Sequence, residues 1–112
     1  MGSYVIAIYQ PKDGKDVELL GCVRSHIDVL RDEDLVTEVE PLLLRSPCGS
    51  ILEIFEWKSE EAVAAAHHNP AVRSLWERFN ECCTYGTLSS LPHADKPFPH
   101  FELLDVELPY AD

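Results

Sequence analysis

The chain has 112 residues, a hydrophobic content of 46%, and a formal net charge of −11 from 20 acidic and 9 basic side chains. The length predicts a single domain over residues 1–112, and the hydrophobic content is too high for a disordered acidic tail. The acidic balance argues against nucleic acid or an anionic membrane surface as a partner, and no apolar run approaches the roughly 20 residues that span a bilayer.

The first half of the chain predicts a strand followed by a long helix. It begins without the basic and apolar regions of a signal peptide, from which we expect a cytoplasmic protein. Residues 4–10 (YVIAIYQ) are β-branched or aromatic and predict a strand. The turn residues at 11–14 (PKDG) follow. A helix is predicted over residues 15–30, because four side chains recur at helical spacing: Leu19, Val23, His26 and Leu30.

The second half predicts a hairpin, a broken helix and a last strand. Residues 41–46 and 50–57 are apolar and flank the turn Pro47-Cys48-Gly49. Ser59 is predicted to cap the next helix, and Asn69 to cap a third one that begins at Pro70. The apolar stripe of the third helix consists of Val72, Leu75, Trp76, Phe79 and Cys83. A loop with three prolines then leads to a predicted strand over residues 100–108.

This order of elements, β-α-β-β-α-(α)-β, predicts an α+β fold. It matches the ferredoxin-like βαββ(αα)β arrangement with a four-stranded antiparallel sheet. The strands are apolar on both faces, as in residues 4–9, where both parities carry apolar side chains. Since no second layer remains in the chain to cover the far face, we expect a homodimer that packs sheet against sheet.

The four cysteines predict free thiols rather than a disulfide framework or a zinc site. They are Cys22, Cys48, Cys82 and Cys83. Their spacing is irregular, and no CxxC pair is present. We expect Cys48 to be exposed in its turn and the others to be buried or half-buried, since a free cysteine behaves as a small apolar side chain.

Two passages carry a resemblance to a known family. They are residues 55–62 (FEWKSEEA) and 66–72 (AHHNPAV), followed by Trp76. Together with the opening strand and the Pro-x-x-Gly-Lys turn, they resemble the dimeric α+β barrel superfamily, in particular the antibiotic-biosynthesis-monooxygenase-like proteins, over nearly the whole chain. The resemblance implies a dimeric α+β barrel. Activities in that group include cofactor-free oxygenation of aromatic polyketides, haem degradation, isomerisation and dehalogenation.

The haem-degrading branch fits less well than the rest of that group. It shares the Trp57-Lys58-Ser59 segment, but the asparagine of its first strand has no match in residues 4–10. The positions of its helical tryptophan and haem-ligating histidine fall near Ala66 and Trp76. We therefore expect neither haem nor another cofactor.

His26 is the candidate catalytic residue. An imidazole near neutrality can remove a proton from a phenol or an enol, and the resulting carbanion can itself react with oxygen. The alternative is that His26, on the apolar stripe of the first helix, is a hydrogen-bonded core or pocket-wall residue.

Aromatic and histidine side chains are candidates for contacts with a substrate. Phe55, Trp57, Trp76 and Phe79 would form walls for a planar ligand, or they would pack the core. Adjacent histidines point about 100° apart on a helix. One of His67 and His68, with His67 as the candidate, would therefore face the pocket, or both would merely mark the end of the helix.

Glu53 shares a predicted strand face with Phe55 and Trp57, and a carboxylate on an apolar face needs a partner or a role. We expect an ion pair with Arg45 on the neighbouring strand; the alternative is an acid–base group. A metal site would require His26, His67 and Glu53 to converge without any HxH or HxxxH pair, so no metal is expected.

The sequence hypothesis is therefore a homodimer with one pocket per protomer that binds a small planar or enolisable molecule. If it is catalytic, it is a cofactor-free, monooxygenase-like oxidoreductase with His26 as the base. The alternative is a non-catalytic dimer that binds a small ligand or serves in stress. Two satisfied ring nitrogens on His26 in a closed core, with no adjoining cavity, would exclude the enzyme.

Overall fold

Residues 2–104 are described by a computed structural model, and they form an α+β fold built on one five-stranded antiparallel sheet. The elements are β1 (Ser3–Pro11), α1 (Asp16–Asp32), β2 (Leu42–Arg45), β3 (Ile51–Trp57), α2 (Glu60–Ala66), α3 (Pro70–Cys82), β4 (Cys83–Tyr85), a short 3₁₀ helix (Leu88–Ser90) and β5 (Glu102–Leu103). The strand order is β4-β1-β3-β2-β5. The predicted α+β class is confirmed.

The centre of the sheet is the pair formed by β1 and β3. Their register runs from Ser3 opposite Trp57 to Tyr9 opposite Ile51. β2 and β3 form the predicted hairpin, and Gly49 in its turn has a φ of 90°, which a residue without a Cβ adopts readily. The bounds of both hairpin strands lie within a residue of the predicted ones.

Side-chain caps separate the two helices that follow β3. The Ser59 hydroxyl accepts a hydrogen bond from the backbone N–H of Ala62 at 3.0 Å. Asn69 Oδ1 accepts from the N–H groups of Ala71 and Val72 at 2.9 and 3.1 Å. These bonds satisfy donors that have no partner within the helix, and the predicted caps at Ser59 and Asn69 are confirmed.

The end of the chain differs from the prediction at both edges of the sheet. Cys83 does not continue α3, because its backbone is extended (φ −152°, ψ 167°) and it begins β4 beside β1. Thr84 and Tyr85 are residue types that favour strands. The predicted last strand is limited to Glu102–Leu103 within the described residues and pairs with β2 at the opposite edge; residues 105–108 of that prediction lie outside them. The described sheet therefore has five strands rather than four.

The main core lies between the sheet and all three helices. One cluster joins β1, α1 and α3, and another joins β3, α1, α2 and α3. Three of the four cysteines are buried, Cys48 is exposed, and all four are free thiols, as predicted. Among residues 2–104, no helix is both long and apolar enough to cross a membrane.

The opposite face of the sheet is covered at one end. Leu91 and Phe101, from the segment that follows β4, pack on Ile8 and Leu52. This cover was not predicted, because the segment has no periodic pattern of apolar residues. Further along the same face, three apolar side chains are exposed: Tyr4 (62%), Ile6 (44%) and Leu42 (46%).

Candidate functional site

A partly open pocket of about 410 Å³ lies between the sheet and the helices α1 and α3. Its floor is formed by β1 and β3, and its walls are mainly aromatic. The lining residues are Val5, Ala7, Tyr9, His26, Phe55, Trp57, Trp76, Phe79, Asn80 and Tyr85. The pocket is thus lined by the candidate base and by all four predicted aromatic wall residues.

His26 is held in this wall by the apolar stripe of α1. That stripe faces the sheet, and the imidazole is consequently only 4% exposed. Its ring stands edge-on to Phe55 and Phe79, at centroid distances of 5.5 and 5.2 Å. Packing on two sides therefore fixes the plane of the ring.

Glu53 lies behind His26 and is fully buried. Its Oε1 atom accepts hydrogen bonds from the Tyr9 hydroxyl at 2.7 Å and from His26 Nδ1 at 2.8 Å. The prediction that Arg45 is its ionic partner is wrong, because α1 places the imidazole directly over the carboxylate. Arg45 is half-buried and lines a separate cavity at the end of β2.

The hydrogen bonds of His26 define its tautomer. The indole N–H of Trp76 donates to His26 Nε2 at 3.2 Å. An indole nitrogen is a donor and never an acceptor, so Nε2 is the unprotonated nitrogen. Nδ1 therefore carries the proton and donates it to Glu53. The site holds a neutral imidazole whose basic nitrogen is covered by Trp76.

Tyr9 completes the network from β1. Burial and, next, the charge of Glu53 raise the pKa of the Tyr9 hydroxyl well above its ordinary 10.0. The hydroxyl consequently stays protonated and remains a donor to the carboxylate. Glu53 Oε2 is buried without a hydrogen-bond partner within the described part of the chain. The buried carboxylate thus depends on two donors at its other oxygen.

The predicted site residues fall into three positions relative to the pocket. Phe55, Trp57 and Trp76 line it together with His26. Glu53 does not line the pocket, and its link to the pocket is the hydrogen bond that it accepts from His26. The structure places His67 at the end of α2 as an exposed residue, with its ring edge-on to Trp76 at 5.2 Å. His67 therefore contacts the wall residue Trp76 but does not line the pocket itself. His68 is also exposed and outside the described lining.

Sequence reasoning missed three polar residues of the pocket: Tyr9, Asn80 and Tyr85. Tyr9 lies on the same face of β1 as Val5 and Ala7, and this alternation could have identified it as a pocket residue. Tyr85 escaped notice because β4 was not predicted. Its hydroxyl donates to Asn80 Oδ1 at 2.8 Å, and burial, followed by the nearby Cys83 thiol group, raises the pKa of Tyr85 to about 12. The Tyr85 hydroxyl therefore remains protonated and is a donor to Asn80.

Chemically, the arrangement can accept a proton at His26 Nε2 and stabilise the resulting imidazolium with the Glu53 carboxylate. Within residues 2–104, no three His, Cys, Asp or Glu side chains come together as metal ligands. No family model matches the chain, and comparison with curated proteins and with solved structures gives no match.

Proposed function

We propose that the pocket binds a small planar or enolisable molecule and that His26 acts on it as a general base. The observation that supports this most directly is the Glu53–His26 pair at the wall of an apolar pocket. Glu53 holds the proton on Nδ1, so the lone pair on Nε2 is the one that accepts a proton. A carboxylate behind an imidazole orients the ring and stabilises the imidazolium that forms.

The shape and charge of the pocket support the same class of ligand. A volume of about 410 Å³ is typical of small-molecule sites. A lining with the aromatic side chains Phe55, Trp57 and Phe79 suits a flat, apolar body. None of the described lining residues is a lysine or an arginine, and the chain carries a net charge of −11. These features favour a neutral ligand over an anionic one.

The reaction that we propose is proton transfer, followed in the oxidative case by reaction with dioxygen. The substrate proton moves to His26 Nε2, and the electron pair stays delocalised on the substrate. Oxidation of a methylene group to a carbonyl supplies the electrons that reduce dioxygen, so that one oxygen atom enters the product and the other leaves as water. No further reductant or cofactor is needed, as in the monooxygenase-like proteins that the sequence resembles.

His26→Ala tests the catalytic role. Wild-type protein and variant are incubated with dioxygen and a panel of quinols and polyketide-like phenols, and oxygen uptake and product mass are measured. We expect the variant to lose at least about a hundredfold in turnover, because general-base catalysis contributes on the order of 10²–10⁴. The matched control is His68→Ala, which removes an exposed histidine outside the lining and should keep turnover within about twofold. Equal turnover by wild type and His26→Ala would remove His26 from the mechanism.

One observation favours the alternative, a non-catalytic ligand-binding or stress-related dimer. Both ring nitrogens of His26 are already bonded, to Glu53 and to Trp76. The closed core that would exclude an enzyme is nevertheless not present, because the pocket adjoins His26. Under this alternative the same panel binds to the pocket, and neither oxygen uptake nor product formation follows.

We further propose that the fold is ferredoxin-like and assembles as a dimeric α+β barrel. The order β4-β1-β3-β2 within the five-stranded sheet supports the first part. The second part is supported by Tyr4, Ile6 and Leu42 on the face opposite the helices, where Ile54 joins Ile6 and Leu42 through the strand register. An accessible apolar row across three strands is an expected contact for a second copy.

Ile6→Lys tests the dimer. We expect a sedimentation mass of twice 12.7 kDa for the wild type at micromolar concentration and a mass near 12.7 kDa for the variant. A buried lysine without a partner opposes association of the two sheet faces. Val17→Lys is the control, because Val17 on α1 is 79% exposed and away from that face, and it should leave the dimer intact. A wild-type mass near 12.7 kDa would overturn the proposed dimer.

A further inference from the structure

Resting on the proposed function, we infer that Trp76 and His26 form a donor–acceptor pair that the ligand replaces. The pocket then selects molecules that carry a hydroxyl donor beside a hydrogen-bond acceptor, and Trp76 is the residue that determines this specificity. The structural basis is the 3.2 Å contact between the indole N–H and His26 Nε2, at the wall of the pocket.

The first requirement on the ligand comes from His26. Glu53 accepts the Nδ1 proton at 2.8 Å, so Nε2 presents an acceptor to the pocket side. A ligand atom that takes the place of the indole at Nε2 must therefore be a donor. A hydroxyl group satisfies this condition, whereas a carbonyl or an ether oxygen leaves Nε2 without a partner.

The second requirement comes from Trp76. Once displaced, its N–H is a donor without a partner, and an unpaired donor in a largely apolar site is unfavourable. An acceptor on the ligand next to the hydroxyl restores this bond. Two oxygens on adjacent ring carbons are close enough together to reach both nitrogens, so one such ligand replaces one protein–protein bond with two protein–ligand bonds.

The packing indicates which of the two side chains moves. His26 is 4% exposed and is bonded to Glu53 and edge-on to two phenylalanines. Trp76 is only half-buried at the edge of both core clusters, and its ring stands edge-on to the exposed His67. The two hydroxyl groups of the lining are engaged elsewhere, Tyr9 with Glu53 and Tyr85 with Asn80. The indole of Trp76 is therefore the group that a ligand displaces.

The test compares three naphthalenes by isothermal titration calorimetry under nitrogen: a diol with neighbouring hydroxyls, the naphthol with one hydroxyl, and the dimethyl ether of the diol. For wild-type protein we expect the diol to bind about tenfold more tightly than the naphthol, since one neutral hydrogen bond is worth up to about that factor. The ether, which has no donor for Nε2, should bind most weakly. In Trp76→Phe, which keeps a ring and removes the N–H, the diol and the naphthol should bind within about twofold of each other.

The possible outcomes distinguish a failure of this specificity from a failure of the proposed function. Similar dissociation constants for all three probes in wild type overturn the inference and leave the pocket as a site for planar ligands. No binding of any probe overturns both. Should Trp76→Phe fail to fold in a thermal melt, Trp57→Phe leaves Trp76 as the tryptophan that reports the site. Its emission should then shift with the diol and not with the ether; an unchanged emission with the diol overturns the inference.

Discussion

Replacing Glu53 by alanine is expected to lower the free energy of unfolding by about 3–5 kcal/mol, in the range found when one partner of a buried charge pair is removed. The carboxylate is fully buried, and it accepts hydrogen bonds from Tyr9 and His26. Its removal leaves both donors unpaired in the core and opens space between the sheet and α1.

Urea denaturation of Glu53→Ala and wild type measures this loss. The matched control is Glu38→Ala, because Glu38 is exposed in the segment between α1 and β2, and a substitution there should change stability by less than about 0.5 kcal/mol. Glu53→Gln keeps an acceptor for both donors and should fall between the two variants. Equal losses for Glu53→Ala and Glu38→Ala would show that the buried network contributes nothing to stability.

Most of the regular structure was predictable because local signals and burial agree. The β-branched opening strand, the turn at Gly49 and the caps at Ser59 and Asn69 all give elements whose observed bounds lie within about two residues of the predicted ones. The exceptions are the two edge strands. β5 covers only Glu102–Leu103 of the described residues, and β4 begins where the apolar stripe of α3 extends one residue beyond the helix. Cys83 satisfies the helical period, but its pairing with Pro11 in the sheet determines its conformation.

The site was only partly predictable, for a geometrical reason. Strand parity placed Glu53 on the same face as Phe55 and Trp57, and helical spacing placed His26 on the buried face of α1; the structure agrees with both. Neither pattern gives the offset of a helix along the sheet beneath it. That offset brings His26 over Glu53 instead of leaving the carboxylate to Arg45, and it comes from tertiary packing.

Phe79 belongs both to the lining of the pocket and to the hydrophobic core. Phe79 is 1% exposed and stacks on Tyr9 at a centroid distance of 4.8 Å, and it stands edge-on to His26. It therefore contacts both the donor and the imidazole that converge on Glu53. A change at Phe79 should consequently affect the stability of the fold and the geometry of the base together.

Phe79→Ala is accordingly expected to lower the free energy of unfolding by about 3–5 kcal/mol, because a large buried side chain is lost and the cavity left behind relaxes only in part. Urea denaturation measures the change. Phe98→Ala is the matched control: Phe98 is 85% exposed, and its truncation should alter stability by less than about 0.5 kcal/mol. If both variants lose the same amount, Phe79 does not support the core as its packing indicates. Because the new cavity adjoins His26, probes of the pocket should also bind less tightly to Phe79→Ala than to Phe98→Ala.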